Sequence, residues 1–313
     1  MIEILSGGVL STVQDQGRYG YRQYGVPISG AMDLYALRMA NILVGNDEDA
    51  AGIELTFYGL KLRSTEDTWV AITGGDLSPQ KSGEPVSMWR SICLKKDEVL
   101  SFRRLRSGFR AYVAVQGGID IPLLMNSRST AVKAAFGGTG GSLKTGDRLK
   151  TGDSFAGGKM QEKTIPDQFI PLYSTQNELR VVFGPQSDYF SSEIRELFLN
   201  SEYTITPHSD RQGYRLTGPA LKHIHSYDVI TEAVWPGVVQ VPGDGLPIIL
   251  LADAQTTGGY PKIASIISVD TDKLGQAKPS DKIRFKRVTR EESVDLLREQ
   301  ENRMKEIKRL LEE

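Results

Sequence analysis

The sequence has few of the residues on which the best-known enzyme signatures depend. Among 313 residues there are one cysteine and three histidines. The single Cys93 excludes a disulfide within the chain, and we expect it to serve in packing. Three histidines leave too few ligands for a structural zinc site, so we expect no bound metal. A phosphate-binding glycine loop with its lysine, a dinucleotide fingerprint and a nucleophile elbow are also absent from the sequence.

Long apolar runs and a strong charge of one sign are missing as well. No stretch reaches the roughly 18 apolar residues that a membrane helix needs, and the first residues do not resemble a signal peptide. The net charge of −1 gives no reason to expect nucleic acid or an anionic membrane as a partner. We therefore expect a cytoplasmic protein that binds neither nucleic acid nor a membrane.

Short strand-like segments separated by Gly, Pro, Asp and Asn make up most of the chain. This spacing favours a mainly β fold with a few helices, built as barrels or sandwiches. The clearest predicted strands are 69–72, 99–102, 111–115, 180–183, 238–241, 248–251, 263–269 and 283–285.

Three helices interrupt the strand pattern. We predict one that is capped by Ser29 and runs to about Val44, and a second that follows Pro185. The third is a C-terminal helix, because Thr289 and Glu292 have the spacing of a capping box. Its narrow apolar stripe predicts that it packs on the body of the protein or on a partner.

A region of loop composition near the middle of the chain suggests two lobes of similar size. We predict an N-terminal β-barrel lobe over 1–155, a linker over 156–177 and a C-terminal β-barrel lobe over 178–288. Residues 289–313 form the C-terminal helix.

The segment 235–261 is the most informative part of the second lobe. A glycine turn at 242–245 separates two apolar strands, and a loop rich in hydroxyl, amide and phenol groups follows the second strand. Such loops on rigid strands often carry binding sites, although a glycine-rich barrel rim without a ligand would have the same composition. The candidate substrate-binding residues here are Gln240, Asp244, Thr257, Gly258, Tyr260 and Lys262.

A second polar segment, 208–216, supplies two arginines beside an acidic residue. Arg211 and Arg215 suit the capture of a carboxylate or phosphate, and Asp210 or Asp253 can act as a base or orient the arginines. We take these four as candidate catalytic residues. The alternative is that Asp210 pairs with one arginine and only fixes the loop. We also expect the segments SDRQGYRL and TTGGYPK to form one cationic hollow.

The first lobe offers a third polar segment. Asp15 and Arg18 lie in a loop that leads to the N-terminus of the first helix, where backbone N–H groups favour anions. We include both residues among the candidates for substrate binding.

These segments closely resemble the family that includes the C component of 5-oxoprolinase, KipA-type proteins, allophanate hydrolase subunit 2 and the carboxyltransferase domain of urea carboxylase. The matching motifs include TVQDQGRYGY, GVPISGAMD, GPQSDYF, SDRQGYRL, VVQVPGDGLPIILLAD and QTTGGYPKIA, between Thr12 and Ala264. The resemblance implies two cyclophilin-like β-barrel lobes. It also implies a companion B component of related fold and, in oxoprolinases, a further A component.

The resemblance implies three functions. The first is the C component of an ATP-dependent 5-oxoprolinase that converts 5-oxoproline to L-glutamate, with ATP as co-substrate and no activity of this chain alone. The second is a biotin-dependent carboxyltransferase, for which biotin would come from another protein, because Met304-Lys305 lies in the tail helix and not in a hairpin. The third is a KipA-type regulator that binds a kinase inhibitor.

The sequence departs from the family pattern at several positions. Ala254 stands where arginine is common, and Leu246 where glutamine is common. Asn126 and Ser280 replace usual glycines. The loss of an arginine and an amide is expected to weaken the binding of an anion or amide at this rim.

Overall fold

The computed structural model of the protein describes residues 1–152 and 161–312. Contacts between Cα atoms divide the chain into two compact units. Unit 1 contains Met1–Tyr19, Ser29–Tyr173 and Met304–Glu313; unit 2 contains Gly20–Ile28 and Ser174–Arg303.

These units differ from the predicted lobes in two segments. Residues 20–28 group with unit 2, although they lie early in the chain, and the end of the C-terminal helix groups with unit 1. The predicted linker 156–177 falls partly outside the described residues. The lobe boundaries stay a prediction.

Unit 1 is built from two antiparallel sheets. Its strands are β1 (Ile2–Gly7), β2 (Leu10–Gln14), β3 (Gly52–Thr56), β4 (Leu60–Ser64), β5 (Thr68–Gly74), β6 (Pro79–Lys81), β7 (Glu84–Pro85), β8 (Arg90–Leu94), β9 (Val99–Phe102), β10 (Arg110–Val115) and β11 (Arg148–Leu149). One sheet has the order β11-β1-β4-β9-β6-β7, and the other has the order β2-β3-β10-β5-β8.

Strand β10 shows how the core of unit 1 is arranged. Successive side chains of a strand point to opposite faces. Accordingly, Ala111, Val113 and Val115 lie in the apolar core that includes residues of both sheets. Tyr112 and Ala114 lie on the other face, in a cluster with helix α1 (Leu34–Leu43). The five-stranded sheet is therefore buried on both faces, which explains the continuous apolar run of β10.

The first helix begins later than predicted. Its N-cap is Asp33, whose side chain accepts a hydrogen bond from the Ala36 backbone N at 2.9 Å. The prediction that Ser29 caps this helix is wrong, because Ser29 has a φ of 57° and a cap residue needs an extended backbone. Asp33 has that backbone, with φ −118° and ψ 92°.

Unit 2 contains a closed β-barrel. Its strands are β12 (Gln176–Phe183), β13 (Tyr203–Ile205), β14 (Gly213–Thr217), β15 (Glu232–Ala233), β16 (Val238–Gln240), β17 (Ile248–Leu250), β18 (Thr257–Gly258), β19 (Lys262–Ile266) and β20 (Lys282–Arg287). The barrel order is β12-β19-β16-β17-β14-β13-β20, and β12 pairs with β20 in parallel to close it. Strands β15 and β18 form a separate two-stranded sheet.

Three more helices follow in the described part of the chain: α2 (Ser192–Asn200), α3 (Ser268–Gln276) and α4 (Arg290–Glu312). The predicted strand 263–269 is wrong at its C-terminal end, because β19 ends at Ile266 and helix α3 begins at Ser268. The chain is thus mainly β with a few helices, a closed barrel in unit 2 and a C-terminal helix, as predicted. The described strands of unit 1 form two sheets where a second barrel was predicted.

The C-terminal helix α4 begins with the predicted capping box. The Thr289 backbone N donates to Glu292 Oε2 at 2.6 Å, and the Glu292 backbone N donates to Thr289 Oγ1 at 3.1 Å. Met304 and Ile307 are buried in the same cluster as helix α1. The end of α4 therefore packs on the body of unit 1. Within residues 1–152 and 161–312, no helix has both the length and the apolar character needed to cross a membrane.

Candidate functional site

Arg211 and Asp253 form a buried ion pair in unit 2. Arg211 Nε lies 3.0 Å from Asp253 Oδ2, and Nη2 lies 3.1 Å from Oδ1. Only 4% of Arg211 and 5% of Asp253 are exposed. The Asp253 backbone N also donates to the Arg211 carbonyl at 2.9 Å. The pair therefore joins the loop before β14 to the loop after β17.

The other two candidate catalytic residues have different surroundings. Asp210 is exposed, and its Oδ1 accepts a hydrogen bond from the Gln212 backbone N at 2.7 Å. Arg215 is also exposed and lies on β14 between the buried residues Tyr214 and Leu216. The carboxylate that binds Arg211 through both oxygens is thus Asp253, and the two arginines do not share one environment.

Lys262 is the centre of a second polar cluster in unit 2. It lies on β19 and is 2% exposed, and its Nζ forms an ion pair with Glu232 Oε1. The same carboxylate oxygen accepts a hydrogen bond from Gln186 Nε2 at 2.6 Å. Gln186 Oε1 in turn accepts from the Lys262 backbone N at 3.3 Å. We call Lys262, Glu232 and Gln186 the Lys262 cluster.

The electrostatics of the Lys262 cluster are asymmetric. The lysine is almost fully buried, whereas 42% of the Glu232 side chain is exposed. The hydrogen bond from Lys262 holds the pKa of Glu232 below its ordinary value. The cluster therefore keeps a buried ammonium group beside a carboxylate that reaches solvent, which is an arrangement suited to binding an anion or polarising an amide.

Gln240 lies next to this cluster on the adjacent strand. It faces Lys262 in the β16–β19 register, and its Nε2 donates to the Tyr260 carbonyl at 3.1 Å. A Cβ at Gly258 would lie 2.8 Å from Gln240 Nε2, and a Cβ at Gly184 would lie 2.2 Å from the Lys262 carbonyl. Side chains at these two glycines would displace the predicted binding groups.

The remaining candidates of unit 2 lie on exposed turns. Thr257 and Tyr260 are exposed on either side of the two neighbouring glycines. Asp244 is exposed too, and its Oδ1 accepts a hydrogen bond from the Leu246 backbone N at 3.0 Å. Asp244 therefore stabilises its own turn.

Asp15 and Arg18 belong to unit 1 and are buried there. Asp15 Oδ1 accepts hydrogen bonds from the Gly17 backbone N and the Ser127 hydroxyl, both at 2.8 Å. Arg18 Nε donates to the Leu124 carbonyl at 2.9 Å, and its guanidinium lies over the Phe136 ring. These contacts join the loop of residues 15–18 to residues 124–136.

The N-terminus of helix α1 is the place where the sequence favours an anion. Here the anion is the protein's own residue, because the Asp33 carboxylate caps the helix and also accepts a hydrogen bond from the Tyr173 hydroxyl at 2.8 Å. The motif GVPISGAMD therefore has a structural role at this helix.

Three of the sequence departures can be related to the structure. Asn126 and Ser280 have φ values of 61° and 77°, in the left-handed region that favours glycine. Ala254 is fully buried in an apolar cluster with Val234, Val238 and Leu250. The rim is thus apolar at this position.

Four of the predicted candidates lie in two separate clusters of unit 2. Arg211 pairs with Asp253, and Lys262 lies with Gln240. In the barrel, β16 and β17 lie between β14 and β19. The single cationic hollow, and the role of each candidate in binding or catalysis, stay predictions.

Three polar residues of unit 2 were not predicted from the sequence as candidate site residues. Gln186 lies in the motif GPQSDYF, and this motif could have identified it as a candidate. Glu232 lies on the two-residue strand β15, which is too short to show a pattern. Arg22 follows the motif TVQDQGRYGY, and its side chain bonds to carbonyls more than two hundred residues away in sequence.

The comparison with known families defines the class of protein. Residues 24–287 match the family described as "Carboxyltransferase domain, subdomain A and B". The chain belongs to this carboxyltransferase-domain family, as its motifs predicted.

Two bacterial proteins are similar to this chain over nearly its whole length. The chain is 38% identical over 303 residues to the C component of 5-oxoprolinase from Escherichia coli, and the alignment covers 96% of each chain. It is 36% identical over 316 residues to the Haemophilus influenzae protein of the same name, covering 100% of this chain and 99% of that one.

A solved structure shows the fold of the family. The chain matches the urea amidolyase of Kluyveromyces lactis with a TM-score of 0.92 and 30% identity, over 98% of this chain. That match covers 20% of the amidolyase, so the chain spans about a fifth of that protein.

Proposed function

We propose that this chain is the C component of an ATP-dependent 5-oxoprolinase, which opens the lactam of 5-oxoproline to L-glutamate. The observation that carries the proposal is the extent of the alignment with the two bacterial relatives of that name, which covers at least 96% of each chain. The amidolyase, by contrast, extends far beyond the matched region.

The chemistry of lactam opening agrees with the polar groups of unit 2. A lactam is an unactivated amide, and phosphorylation of its oxygen by ATP creates a leaving group. The reaction needs cationic donors for carboxylate and phosphoryl oxygens, an acid–base group and donors toward developing negative charge. The Lys262 cluster supplies a buried cation and a carboxylate within hydrogen-bonding distance of each other.

We assign roles to the candidates on this basis. Lys262 stabilises negative charge on the reacting group, and Glu232 holds its ammonium group in place. Gln240, Thr257 and Tyr260 donate hydrogen bonds beside it. The closed Arg211–Asp253 pair positions the two loops that it joins, and the exposed Arg215 binds an anionic group from solvent.

We propose that the companion B and A components complete the enzyme and that this chain alone is inactive. ATP is the co-substrate of the assembled complex, and no described residue is assigned to it. We also propose that the complex works in the cytoplasm.

The carboxyltransferase reaction is the second candidate. The match to the solved urea amidolyase favours it, since the fold agrees over 98% of the chain. The same cationic groups would stabilise the anionic species of carboxyl transfer. Biotin would come from another protein, because Lys305 lies within helix α4.

The test is co-expression of the chain with its companion proteins, followed by two assays of the purified complex. One assay supplies 5-oxoproline and ATP and measures glutamate. The other supplies urea, bicarbonate, ATP and a biotinylated carrier protein and measures carboxylated urea. Glutamate from the first assay alone supports the proposal, and carboxylated urea would replace it with the second candidate. A stable complex that is inert in both assays would favour a KipA-type regulator.

A further inference from the structure

Unit 1 contains a cavity of about 580 Å³ that was not predicted from the sequence. This volume lies within the range of roughly 300–1,000 Å³ that is usual for small-molecule sites. The lining residues lie within the ranges 74–76, 85–89, 106–107 and 170–173, and all of them belong to unit 1. A ligand in this cavity would therefore be bound by this chain without its companions.

Two aromatic rings in the wall of the cavity have fixed positions. Trp89 is 4% exposed, its backbone N donates to the Ile72 carbonyl at 2.6 Å, and its carbonyl accepts from the Ile165 backbone N at 2.9 Å. These bonds hold Trp89 at a φ of 60°, which is costly for a bulky residue. The Tyr173 hydroxyl donates to Asp33 Oδ2 at 2.8 Å, which fixes the second ring. The cavity thus has a preformed aromatic wall.

Apolar side chains extend this wall toward solvent. Val86, Met88 and Ile170 line the cavity and are partly buried. Leu172 also lines it, although 98% of this residue is exposed. A ligand with an apolar body would remove part of these side chains from water. The cavity therefore suits a ligand with a flat, largely apolar ring system.

The loop between β9 and β10 adds positive charge beside the cavity. Arg106 lines the cavity and is exposed, and its Nη1 lies 3.6 Å from Asp76 Oδ2. Asp76 is the only acidic residue among the described lining residues. Arg103 and Arg104 are exposed in the same loop, and the ion pairs of the described residues include neither. Their backbone N atoms donate to the Leu77 carbonyl, so the loop lies against the residue after Asp76.

We call residues 103–107 the arginine loop. It brings three guanidinium groups close in sequence to one another, with the single carboxylate of Asp76 as the acidic group of the cavity. The excess of positive charge favours a ligand with more than one negative charge. The ligand that fits both the wall and the loop therefore has an aromatic ring system at one end and a polyanion at the other.

We propose that this cavity binds a nucleotide. Its base lies against Trp89 and Tyr173, and its phosphates bind the arginine loop. Aromatic side chains bind bases by stacking, and guanidinium groups donate paired hydrogen bonds to phosphate oxygens. The choice of ATP rests on the proposed function, in which ATP is a co-substrate. The nucleotide site itself rests on the cavity and the arginine loop.

The test measures ligand binding to the full-length chain without turnover. The ligands are ATP, adenosine, which lacks the phosphates, and inorganic tripolyphosphate, which lacks the base. Isothermal titration gives the affinity of each ligand. The indole N–H signal of Trp89 in NMR spectra reports on the cavity, and the signal of Trp235, which lies in unit 2, is the internal control.

Two pairs of variants separate the base from the phosphates. Ser87 is exposed and lines the cavity, so Ser87→Phe narrows the cavity and Ser87→Ala leaves it open. The triple variant Arg103→Gln, Arg104→Gln and Arg106→Gln removes the charge of the arginine loop. Its control is Arg148→Gln, because the Arg148 side chain is 70% exposed and lies on β11, at the opposite edge of its sheet from β7.

We expect wild-type chain to bind ATP more tightly than adenosine or tripolyphosphate. Ser87→Phe should weaken ATP binding by about 10-fold, and the triple variant by about 10- to 100-fold, as for lost charged hydrogen bonds. The triple variant should bind adenosine as wild type does, and Ser87→Ala and Arg148→Gln should bind ATP as wild type does. The signal of Trp89 should shift with ATP and with adenosine, and that of Trp235 should not.

Four results would overturn the proposal: no binding of ATP by wild type, equal ATP affinity of wild type and Ser87→Phe, tripolyphosphate binding as tight as ATP binding, or a Trp89 signal that does not move when ATP binds. Thermal unfolding followed by circular dichroism shows whether each variant is folded. If Ser87→Phe does not fold, the Trp89 signal of wild type decides.

The outcome is separate from that of the proposed function. If the assembled complex makes glutamate and wild-type chain binds no ATP, the proposed function stands and this nucleotide site is refuted. If the cavity binds ATP and the complex makes no glutamate, the nucleotide site stands and the proposed function loses support.

Discussion

Arg180 binds both carboxylate oxygens of Asp270 in the first turn of helix α3. Arg180 Nη2 lies 2.7 Å from Oδ1 and Nε lies 2.9 Å from Oδ2, and the Arg180 backbone N also donates to Oδ2 at 2.7 Å. Asp270 is fully buried. Burial alone would raise the pKa of Asp270, but the hydrogen bonds from Arg180 and the nearby ammonium group of Lys273 together outweigh it and lower the pKa.

This pair predicts that Asp270→Asn destabilises the protein. Removal of one partner leaves the other charge poorly compensated, and we expect a loss of about 3 kcal/mol in the free energy of unfolding. Urea unfolding followed by tryptophan fluorescence measures it. The control is Asp295→Asn, because the Asp295–Arg298 pair is 73% exposed at both side chains, and we expect less than about 0.5 kcal/mol. Equal effects of the two variants would contradict this account.

The pKa of Asp270 also predicts a pH dependence. Its folded-state pKa lies below the unfolded value of about 3.9, so the pair stabilises the protein above that pH. The stabilisation is lost as the pH falls through the folded pKa. Unfolding measured between about pH 5 and pH 3 should therefore show a shallower pH dependence for Asp270→Asn than for wild type. Identical slopes would refute the assignment.

The Arg211–Asp253 pair predicts strong coupling between two substitutions. Arg211→Met or Asp253→Leu alone removes one partner of this buried ion pair, and each should cost about 3–5 kcal/mol of unfolding free energy. The double variant should cost much less than the sum, because no charge then stays buried. Denaturant unfolding of the four proteins forms the thermodynamic cycle. Additive losses would show that the two side chains act independently.

The Lys262 cluster predicts an effect on turnover. In the complex with its companion proteins, Lys262→Met should lower glutamate formation by about 10²-fold, as for a lost charge-stabilising donor. Glu232→Gln should have a smaller effect in the same direction, because it keeps the size of the side chain. Lys286→Met is the control, since Lys286 is an exposed lysine of the same unit. Full activity of Lys262→Met in an intact complex would exclude the proposed role.

The left-handed residue Ser280 predicts a stabilising substitution. Its φ is 77°, and its backbone N donates to the Ile205 carbonyl at 2.9 Å, a bond that glycine retains. Ser280→Gly should stabilise unit 2 by about 0.5–1 kcal/mol, because the steric cost of the left-handed region exceeds the entropic cost of glycine. Asn126→Gly should gain less, since asparagine tolerates this region better. Thermal unfolding measures the change in stability of both variants. A loss of stability in Ser280→Gly would contradict the prediction.

The strands and the C-terminal helix could be predicted from the sequence because their patterns depend on residues close together in the chain. The predicted strand 99–102 has the bounds of β9, and the capping box of Thr289 and Glu292 lies at the start of α4. Helix α3 was missed because residues 263–269 are rich in β-branched side chains. Its first turn is fixed by Arg180, which lies 90 residues earlier in sequence.

The site was harder to predict, because its geometry depends on distant contacts. Arg211 and Asp253 were both selected, but their pairing depends on how β14 lies beside β17 in the barrel. Arg22 was not selected, since its acceptor at Val234 lies 212 residues away. Glu232 had no sequence pattern of its own, and its contacts with Lys262 and Gln186 identify it.

The most direct test of the account is to titrate this chain into its purified companion proteins and to measure glutamate formed from 5-oxoproline and ATP. We predict no glutamate from the chain alone or from the companions alone, and a rate that rises with added chain until the components are equimolar. Turnover by the isolated chain, or companion activity that does not change when the chain is added, would contradict the account.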